Sequence, residues 1–388
     1  MLGYLFERFP KFSQTFCYRE IAELFRQGVR PAIFSLRAPD RGPELNWNPG
    51  IVSEIHQLPE GDAFARLANE ASASLPKTAR NTLHEWRGKD DSLRLHQAAY
   101  IGVRLRKLGV HHLHVHFAGM AARTAFWIKT FFGIEYSLTV HANDIFVPNK
   151  FEIGLSQIFS AASAIIAVSD FAANRLRDRF PDTASRVYRV YNGIDCNSFP
   201  SVGPSPRPLI LAIGRLISKK GFDVLIDACA SLQNNGYEFQ CEIIGEGPLS
   251  MELQARIDRL DLGKRVLLAG SKPQAEIASR LSRARLLALP CRVDVDGAMD
   301  NLPTVVMEAM ASALPVVSTD IGGIPEMVRH GETGLLVSQN DADATAEAIG
   351  WLIADVELAR SFGQKGRERA EQLFSIAKNV RALRKIIL

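Results

Sequence analysis

The chain has 388 residues, 47% hydrophobic and 23% charged, which is more than one ordinary domain holds and enough apolar side chain for a core in each of two. A net charge of +4, from 46 Lys+Arg against 42 Asp+Glu, is too weak for a nucleic-acid binder, and no run of 18 apolar residues is available to span a bilayer. Five widely spaced cysteines (Cys17, Cys196, Cys229, Cys241 and Cys291) form no CxxC pair, which argues against a disulfide framework or a zinc site and fits a reducing compartment.

The opening MLGYLFERFPKF breaks into charge after five residues, too soon for a signal peptide, so a cytoplasmic protein is predicted. Residues 1–200 carry 24 basic against 19 acidic groups and residues 201–388 carry 22 against 23. The basic first half suits an anionic membrane surface or an acidic acceptor, and equally a plain solvated surface. Apolar runs of strand type fall at 2–6, 31–36, 113–117, 135–140, 163–168 and 187–191, then at 208–213, 239–244, 265–269, 285–289 and 314–318. Amphipathic segments at 15–28, 92–108, 119–131, 221–235, 249–260 and 273–283 separate most of them, and 342–388 is largely helical in pattern. Strand–helix alternation predicts α/β domains with parallel sheets covered on both faces. Residues 40–90 read only as irregular chain with a helix or two. The stretch 199–208, FPSVGPSPRP, has four prolines and reads as a linker, which puts a domain boundary near 200. Ligands of such sheets bind beyond the carboxyl ends of strands, so the residues just after each strand are the candidates.

In the first half, HHLHVHF at 111–117 places His112, His114 and His116 on one strand face. That spacing suggests a metal, but the sequence offers no acidic or cysteine ligand beside them, and His116 at the strand end is free to serve a cleft instead. In SLTVHANDIF, 137–146, His141 starts the loop after a strand and Asp144 follows three residues later. In the second half, ILAIGRLISKKGFDVLI, 210–226, sets Gly214, Arg215 and Lys220 between a strand end and a helix start, where N–H groups and the helix dipole favour anions. Arginine grips phosphate bidentately and lysine adds a point charge. Gly245 and Gly247 in EIIGEGPL would let backbone approach a ligand closely, though a plain tight turn explains them equally well. In DGAMDNLPTVVMEAM, Asp300 lies in a loop, a helix begins at Pro303, and Glu308 follows inside it among apolar neighbours, where a carboxylate needs a partner.

GRLISKKGFDVLI, the GEGP turn, GIPEMV with HGETGLLV, the 300/308 carboxylate pair and RVYNGID at 189–195 together resemble the retaining glycosyltransferases of family 4. RFPKFSQTF, 8–16, is similar to the subgroup that builds exopolysaccharides such as colanic acid. The resemblance implies the GT-B fold: two Rossmann-like domains, 1–200 for the acceptor and 201–370 for the nucleotide-sugar, facing each other across a cleft, with a helix at 371–388 packing back toward the first. It implies transfer of a hexose, with retention, from a UDP-sugar, or second a GDP-sugar, to a saccharide or lipid-linked glycan acceptor at the inner membrane face. No metal or other cofactor is implied. Arg215 and Lys220 would hold the diphosphate, Glu308 the ribose, and main-chain groups from Asn301 through Leu302, Pro303 and Thr304 to Val305 the sugar and phosphate. Ser271 would line the base pocket, His141 would contact the donor sugar near the reacting carbon, and Asp144 would orient its loop. Asp300 stands where the family has Glu. A nucleotide-sugar epimerase and a non-catalytic nucleotide-sugar-binding homologue are the competing readings.

Overall fold

The computed structural model describes residues 1–40, 47–147 and 151–388; residues 41–46 of the stretch left unassigned above lie outside it. The chain divides into two compact units, Met1–Val190 with Ile376–Leu388, and Tyr191–Ser375. Each is a parallel sheet with helices between its strands. The first sheet contains β1 (Leu2–Arg8), β2 (Ala32–Arg37), β3 (Ile55–Gln57), β4 (His112–His116), β5 (Glu135–Val140), β6 (Ala164–Ala167) and β7 (Val187–Arg189), in the order β3-β2-β1-β4-β5-β6-β7. The second contains β8 (Leu209–Ile213), β9 (Gln240–Ile244), β10 (Val266–Leu268), β11 (Leu286–Leu289), β12 (Val316–Thr319) and β13 (Gly334–Val337), in the order β10-β9-β8-β11-β12-β13. Continuous apolar runs such as Leu286–Leu289, buried throughout, are what a strand covered on both faces requires.

Both orders reverse direction once, between β1 and β4 in the first unit and between β8 and β11 in the second. At such a point the loops leaving two neighbouring strands turn to opposite faces and leave a crevice at the carboxyl edge. In the second unit Gly214, Arg215, Lys220 and Asp300 lie on the loops flanking that crevice, while Gly245, Gly247 and Ser271 follow β9 and β10; in the first unit His141 and Asp144 follow β5, the neighbour of β4.

The division falls between Val190 and Tyr191, and the proline-rich stretch belongs to the second unit. Ser205 N–H donates to Ala284 O (2.8 Å), and the guanidinium of Arg285, 2% exposed, donates to Ser205 O, to Pro206 O (2.8 Å) and to Ile353 O (3.1 Å). A segment that cannot enter a helix or sheet ladder is thus fixed by one buried cation. The helix Val356–Leu373 continues past 371 within the second unit, and the terminal helix Ile376–Ile387 belongs to the first. There Ile376, Val380, Leu383 and Ile387 join Leu2, Phe6, Ile21 and Leu24 in one core cluster.

All five cysteines are buried thiols. No helix among the described residues is long and apolar enough to cross a membrane.

Candidate functional site

In the second unit the loop after β8 carries the cations. Leaving β8, the chain passes Gly214 and Arg215, makes a 3-10 turn at Ser218–Lys220, and enters the helix Phe222–Asn234 through Gly221 at φ +66°. A side chain at Gly221 would overlap Pro290 O, so this loop lies against the end of β11. The Lys220 stem crosses Gly214, where an added Cβ would stand 3.1 Å from its Cε.

From the loop after β11 comes Asp300, 12% exposed, held by two ammonium groups: Lys219 Nζ 3.1 Å from Oδ1, and Lys220 Nζ in hydrogen-bond contact with Oδ2. Cys291 Sγ lies 3.6 Å from the same Oδ2. Burial works against the carboxylate, yet Lys220 and then Lys219 outweigh it and hold its pKa at about 2. Lys220 is correspondingly held above its ordinary value, against its own desolvation. Arg292 fastens the assembly: its backbone N–H donates to Lys219 O (3.0 Å) and its guanidinium to Ser218 Oγ (3.0 Å) and Asp223 Oδ2 (2.8 Å). Arg215 is exposed beside Lys220, and among the described residues its guanidinium has no hydrogen-bond partner.

The glycines of the GEGP turn let one loop pack backbone to backbone on another. Gly245, at φ +147°, presses on Gly214 O, and Gly247 on the backbone of Leu216; a Cβ at either would come within 2.4 Å of a main-chain oxygen. Leu216 N–H donates to Glu246 O (2.9 Å) and Gly245 N–H to Gly270 O (3.0 Å), which brings Ser271 beside Glu246, its N–H 3.5 Å from Oε1. The loops after β8, β9 and β10 therefore form one platform. On the other side Gly322, at φ +58°, abuts Asp300 O, and Gly323 N–H donates to Asn301 O (3.1 Å), so the GGIP turn fixes the Asp300–Asn301 backbone.

The helix Thr304–Ala311 starts at Pro303 with no side-chain cap on its first turn, so the N–H groups of Thr304 and Val305 keep their anion-binding capacity. Asn301, Leu302, Pro303, Val305 and Glu308 are buried and Thr304 is half-buried. Thr304 and Glu308 share a helix face.

In the first unit β4 and β5 lie side by side, and their polar side chains form a ladder across the pair. His112 and His114 bond Ser137 Oγ (2.7 and 2.8 Å), and the other nitrogen of His114 bonds Thr139 Oγ1 (3.0 Å). His116 Nδ1 lies 3.2 Å from His141 Nε2, and His116 Nε2 lies 3.1 Å from Glu20 Oε1. Tyr4 OH donates to that same Glu20 oxygen (2.8 Å). The histidine strand therefore does have an acidic companion. Glu20 arrives from the helix Thr15–Arg26, 96 residues away in the chain. Glu20, His114 and His116 bring three ligand-type atoms within 4.8 Å of one another, but the ring nitrogens of both histidines are already committed to the partners just named.

Asp144 Oδ2 accepts the backbone N–H of His141 (2.8 Å), tying down the first turn after β5; burial pushes this carboxyl up to about 7. Phe117, in the left-handed region at φ +68°, and Phe16 set their rings 4.3 and 4.7 Å from the His141 ring. A bulky residue held there is strained, and such strain collects at functional sites.

The sequence did not point to Lys219, Arg292 or Cys291 in the second unit, nor to Glu20 in the first. Lys219 had a signal, a second basic residue in the same loop; the others become partners only across the fold.

Two doubly wound units, one with a cationic crevice beside an uncapped helix start, define a glycosyltransferase of GT-B fold. The structure of Anabaena HepE in complex with UDP has this fold, at a TM-score of 0.75 and 18% identity over 99% of this chain and 98% of that one. The family model Glycosyltransferase Family 4 matches residues 13–198, and Glycosyl transferases group 1 matches 196–369. WcaL of Salmonella typhimurium, a glycosyltransferase assigned to colanic acid biosynthesis, is 30% identical over 95% of this chain and 94% of its own. The amylovoran biosynthesis glycosyltransferase AmsK of Erwinia amylovora is 29% identical over 88% of each chain. The chain belongs to the family 4 glycosyltransferases.

Proposed function

We propose that this enzyme transfers a hexose, with retention, from a nucleotide-sugar to a saccharide or lipid-linked saccharide acceptor in exopolysaccharide or cell-surface glycan synthesis. UDP-sugar is the first choice of donor and GDP-sugar the second. The observation that carries the reading is the pair of ammonium groups of Lys219 and Lys220, held at the strand-order reversal of the second unit, with the uncapped start of the helix Thr304–Ala311 in the same unit. Fixed cations and a helix start suit a diphosphate, whose negative charge grows as the sugar–phosphate bond breaks. Colanic acid and amylovoran, in the names of the relatives, support the exopolysaccharide setting. HepE with UDP motivates the donor order.

In this reading Lys220, Lys219 and Arg215 neutralise the leaving diphosphate. Glu308 accepts hydrogen bonds from the ribose hydroxyls, main-chain groups at Asn301–Val305 hold sugar and phosphate, and Ser271 lines the base pocket. Asp300 and His141 contact donor-sugar hydroxyls. A leaving-group oxygen takes the acceptor proton, so positioning and charge neutralisation carry the catalysis and no metal is required. A peripheral contact of the basic first half with the inner membrane face would present a lipid-linked acceptor.

Donor binding is tested by thermal shift with UDP, GDP and ADP. UDP should raise the melting temperature most, because a ligand of the folded state stabilises it by mass action. Catalysis is tested with Lys220→Ala, which should keep the fold and lose on the order of 10²–10³ in turnover. Unchanged turnover refutes the role of Lys220, and nucleotide binding with no release from any donor and acceptor would favour a non-catalytic binder.

A further inference from the structure

His141 directly follows β5, which pairs with β4 at the strand-order reversal of the first unit, and its ring is enclosed by Phe16, Phe117 and His116. One nitrogen, Nε2, faces His116; the other, Nδ1, has no hydrogen-bond partner among the described residues. Whether Nδ1 carries a proton decides what His141 offers to a ligand. With the proton it donates to a hydroxyl oxygen, and without it it accepts. Nothing on Nδ1 itself settles the matter, so the decision belongs to the partner of Nε2.

That partner is the middle member of a buried line. Glu20 Oε1 stands 3.1 Å from His116 Nε2, and His116 Nδ1 stands 3.2 Å from His141 Nε2. A carboxylate accepts only, so His116 Nε2 carries a proton toward Glu20. If His116 is neutral, its Nδ1 is bare and His141 must donate from Nε2, leaving its own Nδ1 bare. If His116 is an imidazolium, its Nδ1–H donates to a bare His141 Nε2, and the proton of neutral His141 sits on Nδ1.

The surroundings favour the second arrangement. The titratable groups facing His116 are Glu20 and Cys17 on the helix Thr15–Arg26, Tyr4 on β1, His114 on β4, and His141 and Asp144 after β5, the Asp144 carboxyl being raised by burial and lowered in part by His116. Burial raises the Cys17 thiol, against the lowering effect of the neighbouring His116, and raises the Tyr4 phenol, while the carboxylate of Glu20 is in hydrogen-bond contact with His116 (3.1 Å). Tyr4 donates to the Glu20 oxygen that faces His116 (2.8 Å), which steadies the carboxylate. Burial disfavours charge on all three histidines, but Cys17 and then Glu20 more than offset it at His116, whereas His114 and His141 are held well below the ordinary histidine value, by burial first and the neighbouring His116 next. Of the three rings, the one these surroundings favour as an imidazolium is the one in contact with the carboxylate.

We propose that Glu20 and His116 are positioning residues for His141: the Glu20–His116 ion pair leaves His141 neutral with its proton on Nδ1, as a fixed hydrogen-bond donor to an oxygen of a sugar hydroxyl. The sugar as ligand rests on the functional reading above; the proton placement does not. A donor whose tautomer is imposed by a buried ion pair needs no reorganisation when a ligand arrives, which is how a polar group acts most strongly on developing charge.

The test uses the full chain labelled with ¹⁵N-histidine, without substrate, with His141 assigned by its loss in His141→Ala. In the wild type, His141 should be neutral with Nδ1 protonated and His116 doubly protonated near pH 7. In Glu20→Gln, His116 should lose its charge and His141 should shift its proton to Nε2. Transfer kcat should fall on the order of 10- to 100-fold, the range for losing the outer partner of a functional imidazole, with donor KM and melting temperature little changed. A wild-type His141 protonated on Nε2, or a His141 tautomer unaffected by Glu20→Gln, overturns the proposal, and the wild-type spectrum alone suffices for the first. A tautomer shift with kcat unchanged sustains the relay and removes His141 from the reaction, which is a failure of the functional reading instead.

Discussion

The carboxylate of Asp300 is held by Lys219 and Lys220 and lies 3.6 Å from the thiol of Cys291, so it positions the cations of the loop after β8. The pairing is also a source of stability. The folded pKa, about 2, lies below the roughly 3.9 of an unfolded aspartate, so the contribution is complete above the unfolded value and is lost as pH falls through the folded one. A shift of this size corresponds to about 2 kcal/mol. Asp300→Asn should therefore lower unfolding stability by about that amount at pH 7, and the gap to wild type should close between about pH 4 and pH 2. Urea unfolding at pH 7 and at pH 3 measures it; a gap that stays constant with pH would remove the ion pair as its cause.

At the scale of elements, most strands and the helices between them can be read from the chain, because a strand covered on both faces must be continuously apolar and a surface helix amphipathic. β3 escapes that reading: Ile55–Gln57 is three residues long and polar at two of them. The crevices are half legible. Residues directly after strands, such as Lys220 and His141, are marked by position. Glu20 and Arg292 are not, because each acquires its meaning from a partner tens of residues away. Arg285 is the sharpest case. It precedes an apolar strand with nothing to mark it, yet it satisfies its buried guanidinium with carbonyls from the proline-rich stretch and from the last turn of the helix Ala342–Ala354. Charge-assisted bonds of this kind are worth about 1.5–3 kcal/mol each, and a helix C-terminus favours a cation. Arg285→Met should cost the second unit about 3–5 kcal/mol and release residues 204–207. The Ser205 amide, bonded to Ala284 O in the fold, would then exchange its hydrogen well before it does in the wild type. Equal exchange rates would mean that the prolines hold the segment without Arg285.

At the scale of the whole molecule, the first unit is built from both ends of the chain. The chain leaves it after Val190 and re-enters at Ile376. The returning helix, Ile376–Ile387, places four aliphatic side chains in the cluster around β1 and the helix Thr15–Arg26, while Gln27 donates to Ala377 O (3.1 Å) and accepts from Arg384 (3.0 Å). Burying four such side chains contributes roughly 6 kcal/mol at the low end, comparable to the whole net stability of a domain. The same helix Thr15–Arg26 carries Glu20, so the packing that the tail completes also supports the line from Glu20 through His116 to His141. Removing residues 376–388 should therefore collapse amide protection across 1–190 and leave 191–375 close to its wild-type protection. Where that truncation proves too unstable to isolate, Leu383→Ala, at a side chain 2% exposed, should cost about 2–5 kcal/mol and show the same one-sided pattern. Hydrogen exchange read by mass spectrometry separates the two units peptide by peptide. Protection lost equally from both, or from neither, would show that the tail is not the element that completes the first unit.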